Sequence, residues 1–149
     1  FSFYRIGGVN VAFVANEIAG GGLKVRCKAQ VSNYSTTGAA TTLTTQQAIT
    51  LSVPLGIRVQ PIAYMVVYDS TPAANTWWLV SSLDETDSAP SASIFTFLTI
   101  LNALGVAVSA GGLIDALTDT SGRIALRASA TTNDHGVEVN TRGWIDPRV

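Results

Sequence analysis

The sequence is poor in charged residues, in sulfur and in histidine. Only 13% of its 149 residues are charged, against about 25% in an average globular domain. It contains one cysteine, one methionine and one histidine. A single cysteine forms neither a disulfide framework nor a cysteine metal site. The scarcity of charge also excludes long charged helices and the low-hydrophobicity, high-charge class of disordered chains.

Basic residues are few, and they form no dense cluster. The chain has nine Lys and Arg residues, ten Asp and Glu residues, and a formal net charge of −1. A nucleic-acid-binding surface normally carries a basic stripe that releases counterions from the phosphate backbone. We therefore expect no nucleic acid among the partners of this protein.

Hydroxyl groups supply most of the polarity. The chain contains 17 Thr and 13 Ser, while apolar residues make up 47%. The length suits one domain with its own core. We expect residues 1–22, which end in three glycines, to form an N-terminal arm or docking segment, and residues 23–149 to form a β-sandwich domain.

Alternation of apolar and polar side chains predicts strands. Residues 23–32 alternate at period two, with Lys24, Arg26 and Lys28 on the polar face, which we interpret as solvated. Residues 62–68 are β-branched and aromatic, and they are apolar on both faces, which predicts a central strand. Asn, Asp and Gly at 133–136 favour a hairpin turn into the next strand.

Further short strands are predicted by the same pattern, among them 77–82 and 123–129, and turn residues separate them. Residues 95–108 fit a helix or a strand, with propensities favouring a strand. In total we expect seven to nine short strands. This arrangement is typical of an antiparallel β-sandwich of the jelly-roll type, so the fold class is all-β. The charge-free stretch at 88–114 is too often interrupted by Ser, Thr, Pro and Gly to predict a membrane span.

Residues suited to catalysis or metal binding are scarce. His135 lies in a predicted turn, and no serine stands in a nucleophile elbow. Asp84, Glu85 and Asp87 lie in a predicted loop; three carboxylates could hold calcium, but a solvated loop is the favoured interpretation. We therefore expect no enzymatic activity, no catalytic residue, no metal and no cofactor.

The aromatic residues are the candidate contact residues. Tyr68, Trp77, Trp78 and Trp144 could line a shallow groove for a partner chain or a glycan, because aromatic rings pack against the apolar faces of sugars. If the strand is extended, the adjacent Trp77 and Trp78 point to opposite faces. At least one of them is therefore expected in the core.

The low charge itself favours a permanent assembly. A soluble monomer usually carries more surface charge, and obligate interfaces are depleted in charged residues. We therefore expect the chain to be one subunit of a homo-oligomer.

Five segments resemble β-sandwich domains of tailed-bacteriophage virion proteins, which are common in tail fibres and other appendages. The segments at 44–51 and 53–59 look like the start of such a domain, and 81–91 resembles one of its loops. The segments at 120–124 and 143–146 are also similar to these domains.

The resemblance extends over about residues 44–148 and carries expectations about location and partners. It implies a trimeric tail-fibre or appendage subunit in the virion, in contact with other virion proteins and with a role in attachment to the host surface, including its glycans. A capsid decoration protein that stabilises the head is the alternative. The matching motifs are structural, so the resemblance implies no particular receptor-contacting residue.

Overall fold

The computed structural model describes residues 2–6, 9–19, 22–36, 43–69, 75–99, 108–129 and 135–146. Within these ranges all regular secondary structure is β-strand, and every pair of neighbouring strands is antiparallel. The prediction of an all-β antiparallel sandwich is confirmed. The strands are β1 (Ser2–Ile6), β2 (Val9–Ala19), β3 (Gly22–Thr36), β4 (Gln47–Thr50), β5 (Gln60–Asp69), β6 (Thr76–Ser81), β7 (Phe97–Thr99), β8 (Val108–Leu113), β9 (Arg123–Ala128) and β10 (His135–Asp146).

The strands form two sheets with a nested pairing pattern. The six-stranded sheet has the order β1-β2-β3-β10-β5-β8, and the four-stranded sheet has the order β4-β9-β6-β7. From β3 onward, the pairs β3–β10, β4–β9, β5–β8 and β6–β7 lie one inside the next, as in a long hairpin rolled into two layers. This is a jelly roll of eight strands, within the predicted seven to nine.

The sheets enclose one hydrophobic core. Alternate residues of the central strands point inward, as the period of two requires. From the six-stranded sheet these include Ala63, Met65 and Val67 of β5, each fully buried. The residues that face them across the core include Ile49, Trp78, Val80, Ile124, Leu126 and Ala128 of the four-stranded sheet.

Residues 133 and 134 of the predicted hairpin turn lie outside the described residues, but the strands on either side of it do not pair. β9 belongs to the four-stranded sheet and β10 to the six-stranded sheet, so the connection between them passes from one layer to the other. Leu126 and Val137 are both buried in the shared core, one from each sheet. Turn residues mark where a strand ends, but they do not decide whether the next strand pairs with it or crosses to the other layer.

The residues predicted to form an arm build two further strands. β1 pairs with β2 and β2 pairs with β3, so the six-stranded sheet continues beyond the edge of the eight-stranded jelly roll. The boundary placed between residues 22 and 23 falls where β3 begins. Among the described residues, no helix has the length and apolar character needed to cross a membrane.

β10 has a bulge at Arg142, where it gains one residue relative to β5, and it lies close to β3 at Gly143. Thr141 lies opposite Val31, whereas Gly143 lies opposite Arg26, so the register between the two strands shifts at this point. Gly143 has a φ of 155°, and a Cβ atom there would overlap the carbonyl oxygen of Val25 and lie 2.9 Å from the Cα of Arg26. The close approach of the two backbones therefore requires glycine.

Candidate functional site

The four candidate aromatic residues do not share one groove. Trp78 is fully buried and Trp144 is 3% exposed, and both belong to the core. Trp144 lies opposite Val25 and Pro61, which are buried on the inner face of the six-stranded sheet. Because the side chains of Trp78 and Trp144 fill the interior, they offer no surface to a glycan or a partner chain.

The other two aromatic residues are half-buried and lie on different sheets. Trp77 precedes the inward-facing Trp78, and its amide donates to the Ser129 hydroxyl at 3.0 Å. Tyr68 lies on β5 of the six-stranded sheet, and its hydroxyl donates to the carbonyl of Thr36 at 3.1 Å. As expected, Trp77 and Trp78 point to opposite faces and one of them is in the core.

The outer face of the four-stranded sheet is partly covered by the chain itself. Ala125 points outward between the inward-facing Ile124 and Leu126, yet it is only 1% exposed. A loop that follows β6 crosses to this face, where Asp87 forms a salt bridge with Arg127 at 2.8 Å. Ala48, Thr50 and Arg123 are exposed on the same face, so the loop covers only part of it.

The acidic residues of this loop are held by basic and amide groups of the same chain. Asp84 forms a salt bridge with Arg58 at 2.7 Å, and Glu85 accepts a hydrogen bond from the Ser82 amide at 3.3 Å. With the Asp87–Arg127 pair, the three carboxylates point to three different partners. Within the described ranges, no group of three or more His, Cys, Asp or Glu residues is placed to hold a metal ion.

The part of the outer face of the six-stranded sheet that β5 and the end of β8 form is apolar and partly exposed. Alternate residues of β5 point outward, opposite to the buried Ala63, Met65 and Val67. Tyr64 is 37% exposed, and its cross-strand partner Leu113 on β8 is 68% exposed. We call this surface the outer stripe, defined by Ile62, Tyr64, Val66, Tyr68 and Leu113.

Two glycines on neighbouring strands make room for the tyrosines of the outer stripe. The Tyr68 ring occupies the space that a side chain at Gly136 of β10 would need. A Cβ atom at Gly111 of β8 would lie 2.6 Å from the Met65 carbonyl oxygen and 3.3 Å from the Tyr64 hydroxyl. Aromatic rings that lie over cross-strand glycines shield the bare backbone there.

Basic residues of β3 and β10 lie beside the outer stripe. Lys24, Arg26 and Lys28 alternate along β3, and Arg142 at the β10 bulge donates from Nε to the Gln30 amide oxygen at 3.1 Å. Near the four-stranded sheet, three arginines each form a salt bridge with an aspartate, in the pairs Arg58–Asp84, Arg123–Asp119 and Arg127–Asp87. The predicted polar face of β3 is therefore part of the more basic side of the described molecule.

A cleft of about 400 Å³ lies at the end of the outer stripe where β5 begins. Arg26 and Ile62 are separated across the sheet by Gly143, which places no side chain between them. The amide nitrogen of Gln60 donates to Asp115 Oδ1 at 3.1 Å on the opposite wall. The lining residues are Lys24, Arg26, Gln60, Pro61, Ile62, Leu113, Ile114, Asp115 and Ile145.

Sequence reasoning found only part of this cleft. The alternation in β3 identified Lys24 and Arg26, but nothing local indicated that Gln60, Asp115 and Ile145 would join them. Lys24 lies opposite Ile145, and Ile145 lies opposite Gln60, so three strands distant in sequence meet in one row. The glycine at position 143 is the one local feature connected with the cleft, because it leaves space between Arg26 and Ile62. That effect depends on which strands lie on either side of β10.

Cys27, His135 and the glycines at 20 and 21 were also considered in the sequence, and none of them is among the described residues that line the cleft or form the outer stripe. Cys27 is half-buried against the core, and this burial raises the pKa of its thiol. His135 opens β10 opposite Asp69, and its side chain lies outside the described part of the structure. Gly20 and Gly21 also lie outside the described residues.

No protein-family model matches the chain, and a search of curated proteins found no match. The functional assignment therefore depends on the fold, on the outer stripe and on the cleft.

Proposed function

We propose that this chain is a structural subunit of a tailed-bacteriophage virion, located in a tail fibre or appendage, and that it works as a homotrimer. The observation that carries the proposal is the outer stripe. β5 is apolar on both faces; its inner face is buried in the core, whereas within the described residues its outer face is half-buried or exposed. Sister subunits would cover the outer face.

The composition of the surface supports this assembly. An antiparallel sheet with a solvated face normally carries polar residues there, whereas the outer stripe offers two tyrosines, two β-branched residues and a leucine. A standard interface buries about 800 Å² on each partner, about a tenth of the surface of a small protein. The accessible surface here is 7712 Å², so one such contact would occupy about a tenth of it.

The edge strands of both sheets are short, which favours association of subunits through a sheet face rather than through an edge. The outermost strands of the two sheets, β1, β8, β4 and β7, have five, six, four and three residues. Short edge strands are a common protection against pairing with another chain. Association through the outer stripe is therefore favoured over addition of a strand at an edge.

The jelly roll and the resemblance over residues 44–148 support a place in a virus particle. Jelly rolls are found in viral capsid proteins and in lectins, and attachment to a host-surface glycan is part of the proposed role. Electron microscopy of the intact particle tests the location. A fibre or appendage requires at most a few dozen copies, whereas hundreds of copies on the head would replace the proposal with a capsid decoration protein.

The assembly is tested by light scattering of the purified protein after size exclusion. We expect a mass close to three times 15.6 kDa for the unmodified chain. Tyr64→Lys places a charge in the outer stripe and should reduce the mass to that of one chain, because a buried unpaired charge is costly.

Leu55→Lys is the matched control. Leu55 is 55% exposed and lies in the loop between β4 and β5, so its replacement should leave the trimer intact. Circular dichroism should show that both variants keep the fold. A monodisperse monomer for the unmodified chain, or equal loss of assembly in both variants, would contradict the role of the outer stripe.

A further inference from the structure

The walls of the cleft at the start of β5 differ in chemistry. One wall carries the cations of β3, the middle is aliphatic, and the far wall carries the Gln60–Asp115 pair. We infer that this cleft binds a monoanionic, polyhydroxylated ligand, the chemistry of an acidic sugar. Such a ligand combines a carboxylate, hydroxyl groups and apolar C–H surfaces in one small molecule.

Arg26 supplies the contact for the carboxylate. Its side chain is exposed at the cleft, and a guanidinium group binds a carboxylate through two parallel hydrogen bonds. Lys24 lies two residues earlier on the same face of β3 and adds positive potential at the rim. Lys24 is also opposite Glu17 of β2, so Arg26 is the principal anchor.

The middle of the cleft suits the apolar side of a sugar ring. Ile62, Leu113 and Ile145 form its aliphatic surface. A volume of about 400 Å³ falls in the lower part of the range for small-molecule sites, about 300–1,000 Å³. A single ring with its substituents fits this space.

The far wall selects for hydroxyl groups and against additional negative charge. The amide of Gln60 and the carboxylate of Asp115 form one hydrogen bond with each other, which leaves lone pairs on both side chains for ligand hydroxyls. Asp115 would repel a second anionic group by like charge. The lining holds two cations and one anion, and this balance favours a single negative charge over a polyphosphate.

The cleft adjoins the proposed subunit contact, because Ile62 and Leu113 belong both to the outer stripe and to the lining of the cleft. The cleft lies at the beginning of β5, whereas Tyr64, Val66 and Tyr68 continue toward the other end of that strand. A sister chain on those residues would border the cleft. Binding in the cleft is therefore measured both for the unmodified chain and for Tyr64→Lys.

The test is a titration of the isotope-labelled full chain followed by nuclear magnetic resonance, with sodium glucuronate as the probe. We expect the amide signals of β3 and of the start of β5 to shift and saturate. Glucose, which lacks the carboxylate, and acetate, which lacks the ring, should each bind about tenfold more weakly or not measurably. Phosphate should also bind more weakly than glucuronate.

Two variants locate the contact. Arg26→Gln should weaken glucuronate binding by about tenfold or more, which follows from the strength of a hydrogen bond to a charged group. Lys28→Gln is the matched control, because Lys28 lies on the same face of β3 but outside the cleft lining, and it should change binding less than about twofold.

Several results would overturn the proposal. These are no shifts at about 50 mM glucuronate, equal affinity for glucose, acetate or phosphate, and equal loss of binding in the Arg26 and Lys28 variants. Tyr64→Lys should retain binding, so loss of the trimer and loss of the ligand site are separate outcomes.

Discussion

Replacement of Gly143 by alanine should destabilise the protein more than its small size suggests. The residue has a φ of 155°, and an added Cβ atom would meet the Val25 carbonyl oxygen and, at 2.9 Å, the Cα of Arg26. Both contacts are with the backbone of β3, so no side-chain rotation relieves them. Either the bulge must change conformation or β3 must move away from β10.

The expected loss in the free energy of unfolding of Gly143→Ala has two contributions. A backbone conformation unfavourable for alanine costs about 1–3 kcal/mol, and forcing extra volume into a packed contact costs about the same again. Together these give about 4 kcal/mol, a large part of the 5–15 kcal/mol typical of a domain. With a urea dependence of about 2 kcal/mol per molar, the unfolding midpoint should fall by roughly 2 M.

Gly56→Ala is the matched control for equilibrium urea unfolding. Gly56 has a φ of 83°, but no atom lies within 4 Å of the added Cβ. Its replacement should cost only the left-handed conformation, about 1–2 kcal/mol. If Gly143→Ala is no more destabilising than Gly56→Ala, the reasoning about the close approach of β3 and β10 is refuted.

Two further predictions concern the segment that follows β8. Thr118 is fully buried, and its hydroxyl accepts a hydrogen bond from the Val59 amide at 3.1 Å. Thr118→Val should therefore lower the free energy of unfolding in urea by about 1–3 kcal/mol. Thr120→Val is the control and should change it little, because Thr120 is exposed. Partial burial raises the pKa of Asp119, but hydrogen bonds from Arg123 outweigh it, so the net pKa lies below the ordinary value of 3.8. The ionised carboxylate therefore stabilises the fold above about pH 4, and this contribution is lost as the pH falls through the lowered pKa. Acid unfolding of Asp119→Asn should show a weaker decline in stability below pH 4, and an identical acid profile would contradict this role.

The strands that were predicted well are those whose two faces differ in polarity or whose ends carry clear turn residues. The alternation at 23–32 lies within β3, and the apolar run at 62–68 lies within β5. β6 and β9 begin and end within one residue of the segments at 77–82 and 123–129. In each case the signal is local, because side-chain direction along a strand has a period of two.

The burial of the candidate aromatic residues could be predicted only in part from the sequence. The alternation of an extended strand predicts opposite directions for Trp77 and Trp78, but only the packing of the two sheets shows that Trp78 points inward. Trp144 follows the β10 bulge, where the alternation of inward-facing and outward-facing residues is interrupted. Its burial therefore could not be predicted by continuing the alternation past Arg142. The cleft could not be predicted from the sequence, because Lys24, Gln60 and Asp115 are far apart along the chain. They lie close together only because β3, β10, β5 and β8 are neighbours in the sheet.

The sequence by itself determined that this protein is all-β, that its surface has little charge, and that β5 is apolar on both sides. These properties follow from composition and from the fixed geometry of an extended backbone. Only the tertiary structure decided which strands pair, that a loop lies on the outer face of one sheet, and that the outer stripe is half-buried or exposed among the described residues. The pairings of a jelly roll join strands that are far apart in sequence, so they depend on the packing of the whole core rather than on any local pattern.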